Sequence, residues 1–176
     1  IVTLEKTIGD EIFANKVVKI AQFIKKIDSE NKFVAIFGNG GSASDSQHFA
    51  AELVCTYEDR MRKPFKALAL TTDSSILTAW SNDYTFDTVF ERQIDAYNES
   101  IGLAIGLSTS GKSQNILFAL KKAHKLGIKT CLVCGNNDLT YKYVDYVFKI
   151  PNNCTATIQT ITQIIYHSIC SELEKP

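Results

Sequence analysis

FVAIFGNGGSASDSQHFAAEL, residues 33–53, decides the fold of this chain. Residues 33–37 form a short, unbroken apolar run, the pattern of a strand buried on both faces. The run stops at Gly38-Asn39-Gly40-Gly41-Ser42, where three glycines allow a tight turn. A helix is then expected over about 44–56. A buried strand that feeds a helix through a glycine turn is the first half of a β-α-β unit, which calls for a parallel neighbour.

The same alternation continues on both sides of this stretch. Ile8, Ile12, Phe13, Val17, Ile20, Ile24 and Ile27 recur at helical spacing and predict a first helix over about 4–28. Further strands are expected at 65–71, 101–107, 129–134 and 144–150, the last ended by Pro151. Helical segments are expected around 74–80, 87–98, after 113 to about 126, and 155–174. Strands alternating with helices imply right-handed crossovers and a five-stranded parallel sheet covered on both faces. Ligands bind such sheets beyond the carboxyl ends of the strands, where strand order reverses.

Composition narrows the function classes. A 176-residue chain suits one domain spanning 1–176, and 45% hydrophobic residues suffice for a packed core. Nineteen basic and nineteen acidic side chains cancel, so there is no long-range pull on nucleic acid or anionic membrane. No apolar run is long enough to span a bilayer, and residues 1–10 lack the basic-then-apolar pattern of a signal peptide. Five cysteines, an odd number, do not read as a disulfide framework and fit a reducing, cytoplasmic setting. Cys131 and Cys134 form a C-x-x-C, a spacing used for metals and redox chemistry. Within a strand, positions i and i+3 face opposite sides, so two core-filling thiols are the expectation.

Four features bear chemistry. Ser108, Thr109, Ser110 and Ser113 put four hydroxyls on one strand-to-helix turn, STSGKS. A phosphate needs several short donors, and the following helix N-terminus adds backbone N–H groups and a favourable dipole. The plain alternative is that such residues make turns and caps. The spacing is not that of a Walker loop, and G-x-G-x-x-G fails because Ala43 stands three after Gly40. A sugar monophosphate therefore fits better than a nucleotide, and no nucleotide cofactor is expected. The Gly38–Ser42 turn is the second feature, an ordinary turn by itself. His48 and Glu52, at i and i+4, share one helix face, where they suit acid–base work, a shared metal, or a plain surface pair. Last, Gln159, Gln163 and His167 form a polar stripe on an otherwise apolar helix, and buried polar groups there need partners.

Taken together, GNGGSASDSQHFAAEL (38–53), ALTTDSS (69–75), SNDYTF (81–86), STSGKS (108–113) and IQTITQIIYH (158–167) resemble the sugar isomerase (SIS) family of phosphosugar-binding domains, and within it the bacterial phosphoheptose isomerases. The resemblance spans nearly the whole chain in order and spacing. It implies a flavodoxin-like, three-layer α-β-α sandwich, usually in a homotetramer with active sites between subunits. It implies that Ser42, Ser108, Thr109, Ser110 and Ser113 hold the phosphate, that Gly40 and Gly41 also contact the substrate, and that Asn39, Asp83 and Gln159 line the sugar. It matches Glu52 and His167 to the acid–base pair. It matches His48, Glu52, Gln159 and His167 to positions that bind Zn²⁺ in some members.

The implied reaction is aldose–ketose isomerisation of a sugar phosphate. Sedoheptulose 7-phosphate going to D-glycero-D-manno-heptose 7-phosphate, for bacterial heptose biosynthesis, is the expected case. The alternative is a non-catalytic phosphosugar-binding module, such as those that associate with a replication initiator. Modules of that kind lack the carboxylate that Glu52 supplies here. Two stretches depart from the family pattern: Thr56 stands where Arg is usual, and Ala156, Thr157 and Ile158 stand where Asp-Arg-Ile is usual. Arg60 and Arg62 are candidates to stand in for the missing guanidinium.

Overall fold

The structure is a computed structural model that describes residues 11–175. In chain order it contains α1 (Glu11–Ser29), β1 (Phe33–Gly38), α2 (Gly41–Val54), β2 (Ala67–Ala69) and α3 (Ser74–Asp83). A short 3₁₀ turn (Phe86–Thr88), α4 (Val89–Ala96), β3 (Ile101–Ser108), α5 (Gln114–Lys125), β4 (Lys129–Cys134), β5 (Tyr146–Lys149) and α6 (Thr155–Leu173) follow. All neighbouring strands are parallel, in the order β2-β1-β3-β4-β5.

Alternation of side chains along the strands builds two cores, one on each face of the sheet. Val34 and Ile36 of β1, with Leu103, Ile105 and Leu107 of β3, pack beneath α1, α2 and α6. Ala35 and Phe37 of β1, with Ala104 of β3 and Leu132 of β4, pack against α4 and α5. The result is the three-layer α-β-α sandwich that the sequence implied. Cys131 belongs to the first core and Cys134 to the second, so the C-x-x-C pair is split by the sheet. Both thiols are buried, and burial pushes their pKa values up, away from thiolate chemistry.

The first helix buries Phe13, Val17, Ile20, Ala21, Ile24 and Ile27, while Ile12, counted in the predicted stripe, is exposed. Burying side chains such as Ile20 and Ile24 stabilises the layer by roughly 1.5–3 kcal/mol each. Ile8 and the predicted start of this helix lie outside the described residues. Elsewhere the boundaries move. β2 and β5 are shorter than expected, because only three and four residues keep ladder partners. The segment expected as one helix over 87–98 is a 3₁₀ turn followed by α4. α2 starts three residues early, since Gly41 and Ser42 already form its first turn.

One consequence of the topology places the site. β1 and β3 are neighbours whose chains leave in opposite directions across the sheet, β1 towards β2 and β3 towards β4. The register pairs Gly38 with Leu107, so the turn after β1 and the turn after β3 begin side by side. This is the crevice where an open α/β sheet takes its ligand.

Candidate active site

Two helices start at this crevice without a side-chain cap. Gly40 precedes α2 with φ 55°, a conformation glycine adopts without strain, and it has no side chain to cap the helix. Ser113 precedes α5 but makes no capping bond; its hydroxyl instead accepts from Ser108 Oγ at 3.1 Å. By contrast α3 is capped by the Asp73 carboxylate, which accepts from the Ile76 N–H. The plain expectation that turn hydroxyls serve as caps therefore fails at Ser113, although Ser110 Oγ does accept from the Lys112 N–H.

The two turns are also fastened to each other. Asn39 and Asn115 exchange two amide hydrogen bonds, each 2.9 Å, and Asn115 Oδ1 also accepts from the Ile116 N–H. Behind the second turn, Gly111 has φ 66°, and a Cβ there would collide with Tyr141 Oη and Asn137 Nδ2. Tyr141 donates to the Gly111 carbonyl and Asn137 to that of Ser110, so the loop after β4 supports the serine-rich turn from outside. Ser42 and Ser108 are buried, Ser113 and Thr109 are half-buried, and Ser110 is exposed.

The acid–base candidates lie further along α2 and α6. Nε2 of His48 is 3.0 Å from Oε1 of Glu52. His167 of α6 joins them, and one ligand atom from each of the three lies within 4.8 Å of the others. Tyr166 Oη is 2.8 Å from Nδ1 of His48, and the Tyr166 ring stacks on Phe49. The Tyr57 ring lies 5.1 Å from that of His167. His167 Nε2 is buried with no hydrogen-bond partner among the described residues. Burial, then the nearness of His48, lower the His167 pKa, with Glu52 acting the other way. A neutral imidazole with an unused buried nitrogen can take a proton from a substrate or bind a cation.

Gln159 stands two turns before His167 on α6, and a Cβ at Gly41 would strike its amide. It thus reaches the glycine turn at the start of α2. Asp83 is different: it ends α3, is exposed, and accepts from Asn82 Nδ2 at 2.8 Å.

Residues 6–135 match the family described as the SIS domain. The chain belongs to the SIS domain family. A phosphoheptose isomerase from Aquifex aeolicus is 43% identical over 166 residues, which cover 94% of this chain and 86% of the relative. The solved phosphoheptose isomerase from Neisseria gonorrhoeae is 32% identical with a TM-score of 0.82, covering 96% of this chain and 90% of that one. The enzyme of that name from Francisella tularensis gives 26% identity and a TM-score of 0.84, with 98% and 94% covered. The chain is an isomerase of this family rather than a binding module alone.

Several residues of this SIS domain escaped the sequence reading. Asn115, Tyr166 and Tyr57 all touch candidate site residues. Asp45 is another, one turn before His48: its Oδ2 is buried without a partner among the described residues, and burial raises its pKa against the pull of His48. The one available signal was helical spacing, since Asp45 and His48 are i and i+3. Arg62, a candidate stand-in for the missing sugar-site Arg, faces backbone carbonyls and Glu174 instead. Arg60 is exposed.

Proposed function

We propose that this protein interconverts a ketose phosphate and its aldose, with sedoheptulose 7-phosphate as substrate and D-glycero-D-manno-heptose 7-phosphate as product. The observation that carries the reading is the convergence of Glu52 and His167, from two different helices, about 16 Å along α2 from its uncapped start at the crevice. The phosphate end would use Ser42, Ser108, Thr109, Ser110 and Ser113 with the backbone N–H groups of Gly40, Gly41 and the first turn of α5. Anchoring that end fixes the reacting end against Glu52.

The reaction moves one proton between neighbouring carbons. Glu52 takes a proton from C1 of the ketose, leaving an enediol, and returns it to C2. His167 carries a proton between the two sugar oxygens, using the Nε2 that has no other partner. Asn39 and Gln159 line the path between the two ends, and Asn115 holds the Asn39 amide in one orientation.

Two imidazoles and a carboxylate are a donor set that suits Zn²⁺, and the partnerless His167 Nε2 fits such an ion. His48, Glu52 and His167 would hold it, whereas Gln159, the fourth ligand implied by the resemblance, has its amide beside Gly41, about 12 Å along α6 from His167. Bound there, the ion would supply Lewis-acid polarisation of the sugar carbonyl in place of the His167 proton transfer, since Nε2 cannot hold the ion and a proton at once. No helix among the described residues is long and apolar enough to cross a membrane. The reading extends to a cytoplasmic homotetramer with sites shared between subunits, feeding heptose to a bacterial glycan. In that assembly Asp83, exposed at the end of α3, would reach the sugar of a second copy.

The test compares kcat/KM for five-, six- and seven-carbon ketose phosphates under identical conditions. The seven-carbon sugar is expected to lead by more than about tenfold, roughly 1.4 kcal/mol in the transition state. A comparable lead for a shorter sugar overturns the heptose assignment.

A further inference from the structure

Arg62 and Glu174 form an ion pair whose side chains are only 7% and 6% exposed, with Nε to Oε1 at 2.8 Å. The remaining hydrogen bonds of the pair go to backbone. The Glu174 carboxylate, at the end of α6, accepts from the N–H groups of Tyr57 (2.9 Å), Glu58 (2.8 Å) and Asp59 (2.8 Å). The Arg62 guanidinium donates to the carbonyls of Leu53 and Lys63, each at 2.9 Å, and to that of Glu52. The last carbonyls of a helix have no partner within it, so Arg62 completes the end of α2.

These contacts meet both halves of the acid–base site. One end of the pair holds the backbone of Glu52 itself. The other end fixes the N–H of Tyr57, whose ring lies 5.1 Å from His167. α2 and α6 are far apart in sequence, and the pair ties their C-terminal ends together across the segment 55–62. We propose that Arg62 and Glu174 are positioning residues of the isomerase site, setting the separation of Glu52 and His167 without touching substrate. The proposal rests on the isomerase reading above. Its physical basis is that a displacement of about 1 Å in a reacting group costs on the order of 10²-fold in rate, while phosphate held at the far turns is unaffected.

The planar fork of Arg62 reaches carboxylate and carbonyls in different directions at once, which a lysine ammonium cannot reproduce. Arg62→Lys is therefore the mild variant and Glu174→Gln the severe one. Tyr57→Leu leaves the ion pair and the Tyr57 N–H in place and removes only the ring beside His167. Assayed well below its melting temperature, each variant is expected to lose at least ~10-fold in kcat, with KM within ~3-fold of the parent. The His167 ring proton shifts, set in part by the Tyr57 ring current, are expected to move in all three. Unchanged kcat per folded molecule in Arg62→Lys and Tyr57→Leu overturns the proposal, whatever the melting temperatures do. An unmoved His167 resonance in Arg62→Lys also overturns it, and that readout holds even if the parent proves not to be an isomerase.

Discussion

Tyr166 Oη lies 2.8 Å from Nδ1 of His48, and the other ring nitrogen of His48 lies 3.0 Å from Oε1 of Glu52. Burial, then the charges of Asp45 and Glu52, raise the Tyr166 pKa, so the phenol keeps its proton. When it donates to Nδ1, His48 presents Nε2–H to Glu52. When Nε2 binds a cation, Nδ1–H donates to the phenol oxygen instead. The hydroxyl serves both states, which is the task of the group behind a metal-ligating histidine.

Tyr166→Phe should lower Zn²⁺ affinity by about 10–100-fold, the usual effect of removing such a partner. It should also cost ~1–3 kcal/mol of stability, because Nδ1 of His48 is left without a partner. Calorimetric Zn²⁺ titration and thermal melts of metal-free protein read the two effects separately. Unaltered Zn²⁺ affinity would mean that His48 is not a ligand or is not oriented by Tyr166.

Ser110→Ala removes one exposed hydroxyl from the serine-rich turn without touching either core. A charge-assisted hydrogen bond to phosphate is worth ~1.5–3 kcal/mol, so sugar phosphate affinity should fall by roughly 10- to 150-fold. Calorimetry with substrate and with inorganic phosphate checks it. The same loss for both ligands locates the contact at the phosphate, and no loss for either removes Ser110 from the site.

Glu174 gives the stability a defined pH dependence. Burial works to raise its pKa, but the Asp59 N–H, Arg62, and the Tyr57 and Glu58 N–H groups outweigh it and hold the carboxyl at about 2, below its usual 4.5. A folded-state pKa below the unfolded one stabilises the fold above 4.5, and the contribution disappears as pH falls through about 2. Glu174→Gln should be less stable than the parent by about 3 kcal/mol at pH 7, the low end for breaking a buried pair. That gap should narrow steadily between pH 4.5 and pH 2. Urea denaturation of both proteins across this range tests the trend, and a gap independent of pH contradicts it.

How far the sequence carried can be followed residue by residue. The strand at Phe33–Gly38 and the placement of both turns were legible because apolar runs and helical periods are local signals. His48 and Glu52 were legible as a pair for the same reason. The start of α2 was misplaced because glycines that look like a loop supply the helix's first turn. What sequence spacing does not carry is the partner across the fold. Asn39 meets Asn115 at a separation of 76 residues, Arg62 meets Glu174 at 112, and His48 meets Tyr166 at 118. Each of these contacts depends on which helices the sheet order brings together. The polar stripe of Gln159, Gln163 and His167 showed that α6 carries polar groups inward, but not that His167 would lie beside His48 and Glu52 of α2 with its Nε2 unpaired among the described residues.

The most direct measurement of the central claim is proton NMR of sedoheptulose 7-phosphate incubated in D₂O with the parent protein and with Glu52→Gln. The parent should produce an aldose signal, and deuterium at its C2 should appear only in the fraction of turnovers in which the proton on Glu52 exchanges with solvent before its return. Glu52→Gln should stay folded, keep its phosphate affinity, and form the aldose at least ~10²-fold more slowly. Aldose formation by Glu52→Gln at the parent's rate would show that the proton is moved by another group and would contradict the account.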